Sequence, residues 1–181
     1  MFIILISGHS GSGKDTLADL FLPLGFKKYA MADSLKSFTA ERHGFPFSLT
    51  QTQEGKATII KSTLTHKEVT VRQLLIDDSL EMKITSQDPA FWARILAKKL
   101  SEERPEYVVI SDWRYEEELN HLKTIFPDAT MKKIRINRAN ISPSKDPSEH
   151  DLDNFGFNYI VKNNGSLDDL KTECFYILNL R

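Results

Sequence analysis

The residues whose types and spacing most plainly invite chemistry stand near the start of the chain: Gly8-His9-Ser10-Gly11-Ser12-Gly13-Lys14-Asp15-Thr16. Glycines here let successive backbone N–H groups turn inward around an anion, and Lys14 can follow phosphate oxygens as a mobile point charge. The run satisfies G-x-x-x-x-G-K and then departs from the usual pattern, which continues with Ser or Thr. Asp15 takes that place, and Thr16 comes one residue later. A hydroxyl there ordinarily meets Mg²⁺. Asp15 is also a hard oxygen ligand, so three readings stay open: Asp15 on the metal, Thr16 on the metal, or Asp15 as a charge at the start of a helix. The expected ligand is the triphosphate of a nucleotide, ATP, held by Gly8, Ser10, Gly11, Ser12, Gly13, Lys14, Asp15 and Thr16. Lys14 is also expected to act on the transferring group.

Other polar residues fall where an apolar run ends. Asp112 and Arg114 follow Tyr107-Val108-Val109-Ile110, and Arg138 follows Met131 to Ile136. Asp112 would organise metal or bind substrate, or else cap the helix beginning near Glu116. Arg114 would fork onto a phosphate or base edge, or else pair with Glu117 or Glu118. Arg138 precedes the polar, proline-bearing stretch Ile141 to Pro147 and would neutralise the transferring phosphoryl from a lid, with Arg135 the weaker candidate. Arg72 would clamp an acceptor phosphate. Asp33 and Lys36 would contact the acceptor, although capping explains Asp33 almost as well. Trp92 and Glu149 complete the substrate candidates; Trp92 could stack on a base, although a Trp on an apolar helix stripe is more often core. The histidines at 9, 43, 66, 121 and 150 lack metal-ligand spacing with one another or with Cys174, and His9 is expected to contribute backbone alone.

The elements that must position these residues alternate in kind. Phe2 to Ile6 is a continuous β-branched and apolar run of the kind buried on both faces of a parallel sheet. Lys14 to Leu22 predicts a helix, punctuated by Pro23 and Gly25. Phe26 to Met31, Tyr107 to Ile110, Met131 to Ile136 and Tyr159 to Val161 predict further strands. Helices are expected after Asp33, from Val71, after Asp88-Pro89, over Glu116 to Ile125, and after Ser166, which Asp169 would answer as in a capping box. Alternation of this kind predicts a three-layer α/β/α architecture around a parallel sheet, with ligands beyond the carboxyl ends of the strands. Residues 43 to 67 show little periodicity and are expected to form a mobile or inserted substrate-side segment. A lid-like loop is expected near 138 to 150.

The bulk properties set limits. The chain has 181 residues, enough for one compact domain with a core. A net charge of −1 argues against a broad nucleic-acid-binding face. The single cysteine forms no internal disulfide and suits a reducing compartment. No apolar run is long enough to cross a bilayer, so a cytoplasmic location is expected, as a monomer or a homodimer.

Several ordered segments together resemble the phage-type deoxynucleoside monophosphate kinases, a branch of the P-loop nucleoside monophosphate kinase-like fold. They are Ser12-Gly13-Lys14-Asp15-Thr16, Met31-Ala32-Asp33-Ser34-Leu35-Lys36, Thr70-Val71-Arg72-Gln73-Leu74-Leu75, Phe91-Trp92, Ser111-Asp112-Trp113-Arg114-Tyr115-Glu116-Glu117-Glu118, Pro147-Ser148-Glu149 and Asn163-Asn164-Gly165-Ser166-Leu167. The resemblance implies transfer of the γ-phosphoryl of ATP, with Mg²⁺, to a deoxynucleoside monophosphate. Asp15 looks normal for that family. Departures are Ser34 where the family often has Pro, Trp113 where Val is common, and no Gly-rich stretch over 76 to 87. Phosphomevalonate and dephospho-coenzyme A kinases resemble the same architecture, and a slow ATP-hydrolysing binding module is the rival of another class. The spaced arginines 72, 114 and 138 argue against that module.

Overall fold

The computed structural model describes residues 1–141 and 150–179. The chain divides into two compact units: Met1–Ala30 with Leu96–Arg181, and Met31–Ile95. Each unit has its own buried cluster.

The first unit is built on a five-stranded parallel sheet. Its strands are β1 (Phe2–Ser7), β2 (Lys27–Tyr29), β5 (Tyr107–Ile110), β6 (Thr130–Asn137) and β7 (Tyr159–Lys162), in the order β2-β5-β1-β6-β7. Strand β1 lies at the centre, and Ile3, Ile4, Leu5 and Ile6 are all fully buried. Successive strand side chains point to opposite faces, so burial of all four requires cover on both faces. Ile4 and Ile6 share a core cluster with Leu17 and Ala18 of α1 (Lys14–Asp19) and with Leu170, Cys174 and Ile177 of α7 (Leu167–Asn179). Leu119 and Leu122 of α6 (Glu116–Ile125) and Leu100 of α5 (Phe91–Glu103) are fully buried as well. The expected three-layer α/β/α class holds. The start of α7 forms the reciprocal cap read from the sequence: Asp169 N donates to Ser166 Oγ at 3.2 Å and Ser166 N to Asp169 Oδ2 at 2.7 Å.

The second unit contains α2 (Ala32–His43), α3 (Gln53–Ala57), the antiparallel pair β3 (Ile59–Lys61) and β4 (Glu68–Thr70), and α4 (Val71–Thr85). Residues 43 to 67, unreadable by periodicity, start at the last residue of α2 and hold a 3₁₀ turn at Phe47–Thr50, α3 and β3. Their signals were local: Thr52 Oγ1 accepts from Gly55 N at 2.9 Å, and Ser62 Oγ accepts from Leu64 N and Thr65 N. Such short elements are too brief to print a period. The stretch 76 to 87, which lacks the Gly-rich sequence, continues α4 to Thr85. Asp33 does not cap α2; Met31 does, and Asp33 lies within the first turn.

Candidate functional site

The phosphate-loop segment joins β1 to α1 at the carboxyl end of the central strand. Its turn is closed by Ser12 N donating to the His9 carbonyl at 3.1 Å. Two glycines are set by close approach. A Cβ on Gly8 would run into the Ile136 carbonyl oxygen of β6. Gly13 has φ 100°, and a Cβ there would strike Asn163 Nδ2. Asn163, just past β7, donates from that nitrogen to the Ser12 carbonyl at 2.9 Å. Its neighbour Asn164 accepts from Ala139 N at 2.7 Å. The Asn163-Asn164 pair therefore ties the loop to the residues that leave β6.

Lys14 Nζ donates to the Gly8 and His9 carbonyls at 2.6 and 2.9 Å, which holds the ammonium over the loop. Ser12 is 1% exposed, and its Oγ has no partner among the described residues. A buried hydroxyl without a partner is costly, and an anion in the loop would answer it.

Asp15 is committed elsewhere. Its Oδ1 lies 3.0 Å from Lys28 Nζ of β2 and accepts from Ser111 Oγ at 3.0 Å, at the end of β5. Desolvation pushes its carboxyl up, but the Lys28 hydrogen bond and charge, Ser111 and Lys14 outweigh that and hold it below its ordinary value. Lys28 also pairs with Asp19 at 2.9 Å. Thr16 follows on the exposed side of α1, and its hydroxyl makes no hydrogen bond among the described residues.

On the other side of β1, the arginine that reaches the loop is Arg135. It is 6% exposed. It donates to Ser7 Oγ at 3.1 Å, to Asp153 Oδ1 at 2.6 Å and to His9 Nε2 at 3.2 Å. His150 Nδ1 lies 2.7 Å from the second Asp153 oxygen. The His9 side chain is thus engaged, contrary to the expectation that only its backbone would serve. Arg138 sits one residue beyond β6 and is exposed. Residues 142–149, with Glu149 and most of the lid-like loop, lie outside the described residues.

Asp112 follows β5 and is half-buried. It does not cap α6: Tyr115 holds that place, and the Glu118 carboxylate accepts from Arg114 N and Tyr115 N at 3.0 and 3.2 Å. That removes the capping explanation for Asp112. Trp113 is 1% exposed and packs edge-on against Phe155 and Phe157 at 5.1 and 5.7 Å. The Trp that departs from the family pattern is matched by these two phenyl rings.

In the second unit, Lys36 Nζ lies 3.5 Å from Asp33 Oδ1 along α2, and Arg72 at the start of α4 donates to Gln53 Oε1 at 2.5 Å. Trp92 is 4% exposed and packs against Phe38 and Phe91 at 6.2 and 5.0 Å. This packing favours the apolar-stripe reading of Trp92 over base stacking. Arg42 donates to Asp78 at 2.9 Å and to both Glu81 oxygens at 2.8 and 2.9 Å.

No family model matches the sequence, and no curated protein does. Solved structures match over nearly all of it. TT1252 from Thermus thermophilus is 18% identical, with 98% of this chain and 96% of that chain covered and a TM-score of 0.52. A dephospho-CoA kinase from Campylobacter jejuni is 18% identical, with 97% and 94% covered and a TM-score of 0.51. The Mycobacterium tuberculosis APS kinase in complex with AMPPNP and APS is 11% identical, with 98% and 96% covered and a TM-score of 0.50. The fold is the P-loop kinase fold.

Among the described residues no cluster of three or more His, Cys, Asp or Glu is arranged to hold a metal by itself. Mg²⁺ keeps waters and commonly takes only one or two protein oxygens beside substrate phosphates, so Thr16 and Asp112 fit such an ion better than Asp15, whose Oδ1 is engaged by Lys28 and Ser111. No helix among the described residues is long and apolar enough to cross a membrane. Lys28, Ser111, Asp153 and Asn163 were missed as site-shaping residues. Each acts across strands that are far apart in sequence, and no local spacing announces that.

Proposed function

We propose that the chain transfers the γ-phosphoryl group of ATP to a nucleoside monophosphate, with a deoxynucleotide as the physiological acceptor. The observation that carries this reading is the loop itself. Gly8 and Gly13 are packed where no Cβ fits, the lysine is held over the turn, and the buried Ser12 hydroxyl has no partner among the described residues. The ordered segments shared with the phage-type kinases support the choice of acceptor.

An acceptor phosphate is already anionic at neutral pH and needs no strong general base. Catalysis then rests on positioning and on neutralising charge. Backbone N–H groups of the loop would cradle the donor phosphates, and Lys14 would leave the Gly8 and His9 carbonyls for the transferring group. Thr16 would hold the Mg²⁺ that supplies charge neutralisation, with Asp112 as a further oxygen ligand. Arg138, exposed at the end of β6, would meet the transferring phosphoryl. Asp33, Lys36 and Arg72 of the second unit would bind the acceptor.

The test is direct. The protein is incubated with ATP, Mg²⁺ and, in turn, each deoxy- and ribonucleoside monophosphate, phosphomevalonate and dephospho-coenzyme A, and ADP is followed together with the phosphorylated product. A nucleoside monophosphate that raises ADP formation above the blank, with Lys14→Ala abolishing it, is the expected result. ADP formation stimulated only by one of the other acceptors, or by none, overturns the reading.

A further inference from the structure

We propose that His9 is a positioning residue of the phosphate loop, that it serves as a neutral imidazole accepting a hydrogen bond from Arg135, and that ATP affinity falls when it takes up a proton. This rests on the loop binding ATP, whichever acceptor is phosphorylated.

The contacts fix the tautomer. Arginine only donates. Arg135 Nη2 gives one proton to Asp153 Oδ1 at 2.6 Å and the other to His9 Nε2 at 3.2 Å. Nε2 must therefore accept, and the ring proton sits on the other nitrogen. The guanidinium is itself held. Its Nη1 donates to Ser7 Oγ at 3.1 Å, and its carbon lies 5.8 Å from the Phe157 ring centroid. Ser7 and His9 flank Gly8, so one arginine of β6 grips the chain on both sides of the glycine that opens the loop.

The His9 peptide carries two further contacts. Its carbonyl accepts from Ser12 N at 3.1 Å, which closes the turn, and from Lys14 Nζ at 2.9 Å. A shift of the His9 ring moves the peptide on which both depend.

A proton on Nε2 would set two cations 3.2 Å apart. The carboxylate beside them is already shared. Asp153 Oδ1 holds Arg135 and lies 3.7 Å from His9 Nε2, and its Oδ2 lies 2.7 Å from His150 Nδ1. The His150 ring stands 5.4 Å from the His9 ring. Charged His9 would thus meet Arg135, His150 and Lys14 against Asp153. Asp153 stays ionised while imidazoles titrate: desolvation pushes its carboxyl up, but the His150 hydrogen bond and the surrounding charges hold it below its ordinary 3.8. An added positive charge also draws phosphate toward the loop. That attraction is screened over about 8 Å at roughly 0.15 M salt, whereas the repulsion and the lost hydrogen bond act at contact. Displacement of the ring decides the sign.

ATP binding with Mg²⁺ is measured by calorimetry in roughly 0.15 M salt, from about pH 8 to about pH 5.5. The proteins are wild type, His9→Gln, His9→Leu and His150→Gln, with circular dichroism checking each fold at both ends. Wild-type affinity should fall about tenfold in acid, the loss expected for one charge-assisted hydrogen bond. Gln offers Arg135 a carbonyl oxygen and does not titrate, so the fall should vanish in His9→Gln. His9→Leu should bind weakly throughout, and His150→Gln should keep the wild-type fall. The triphosphate's own titration is common to all four and cancels in the comparison. Near about pH 6, wild type should release more protons on binding ATP than His9→Gln does, as read in buffers of different ionisation heat. An affinity that is level or rises in acid, a fall unchanged in His9→Gln, or wild-type affinity in His9→Leu overturns the proposal. The kinase assay separates the two readings. The expected binding pattern with no ADP formed from any monophosphate sinks the kinase reading alone. ADP formation with the fall unchanged in His9→Gln sinks the role of His9 alone.

Discussion

Lys28 Nζ lies 3.0 Å from Asp15 Oδ1, so the carboxylate that replaces the usual hydroxyl of the phosphate loop is already paired with a strand lysine. Ser111 donates to the same oxygen at 3.0 Å. An oxygen engaged by an ammonium and a hydroxyl is a poor place for a cation, and Thr16, with its hydroxyl exposed, is the better one. Thr16→Ala should therefore raise the Mg²⁺ concentration needed for half-maximal activity by about tenfold, a typical loss when a metal's support is removed. Asp15→Asn should shift it much less. Mn²⁺ binding to the ATP complex, followed by electron paramagnetic resonance, gives the same comparison without turnover. A larger effect for Asp15→Asn would reverse the assignment.

Asn163 braces the loop from β7, and its loss has a calculable effect. Asn163→Ala removes the hydrogen bond to the Ser12 carbonyl. A bond of this kind contributes about 1 kcal/mol to stability. The same change loosens the loop, so the KM for ATP should rise while kcat falls little. Gly13→Ala should do worse, because the added Cβ meets Asn163 and the backbone is at φ 100°, a left-handed conformation that costs about 1–2 kcal/mol outside glycine. Urea unfolding and initial-rate kinetics measure both effects. Wild-type KM in Asn163→Ala would show that the loop holds its shape unaided.

These residues mark the limits of what the sequence discloses. The loop, the five sheet strands and the Ser166–Asp169 cap were legible because each is written in a few consecutive residues: a buried run, a glycine spacing, a capping pair. Arg138 stood out for the same reason, as the residue just past a strand. Arg135, which meets the loop, looked weaker because its partners Ser7, His9 and Asp153 come from distant parts of the chain. The hairpin β3–β4 escaped because three-residue strands carry no measurable alternation. Trp92 shows the converse case: the apolar stripe on which it falls was legible, and its burial follows that stripe.

Asp153 and Arg135 form a pair that breaks expensively. Removing one partner of a buried ion pair costs about 3–5 kcal/mol, but Asp153 is 36% exposed and solvent screens it, so Asp153→Ala should cost about 2 kcal/mol. The pH dependence follows from the direction of the shift. Desolvation pushes the Asp153 carboxyl up, yet the His150 hydrogen bond and the charges of Arg135, His9 and His150 prevail and hold it below its ordinary 3.8. A depressed carboxyl contributes stability that is complete above its unfolded value and fades as pH falls through the folded one. The Asp153→Ala penalty should thus be present at about pH 5, where the histidines still carry charge, and shrink below about pH 4. Denaturation curves across that range check it, and a penalty that stays constant into the acid limb would remove the pair from the account.

Cys174 tests the packing of α7 against the sheet. It is 2% exposed and shares its cluster with Ile4, Val161, Leu170 and Ile177. Burial pushes its thiol up to about 11, and the Glu173 charge acts in the same direction. The thiolate is the reacting form, so at pH 8 only about one molecule in a thousand carries it, even before access is considered. Iodoacetamide should leave the native protein unmodified over an hour-scale incubation and alkylate it fully in urea, as read by intact mass. Because protection depends on folding, ligands that stabilise the native state should slow labelling in moderate urea, by an amount set by their affinity and concentration. ATP with Mg²⁺ should give that slowing in the wild type and lose it in Lys14→Ala. Rapid labelling of the native protein would place α7 off the sheet and undo the core described around β1.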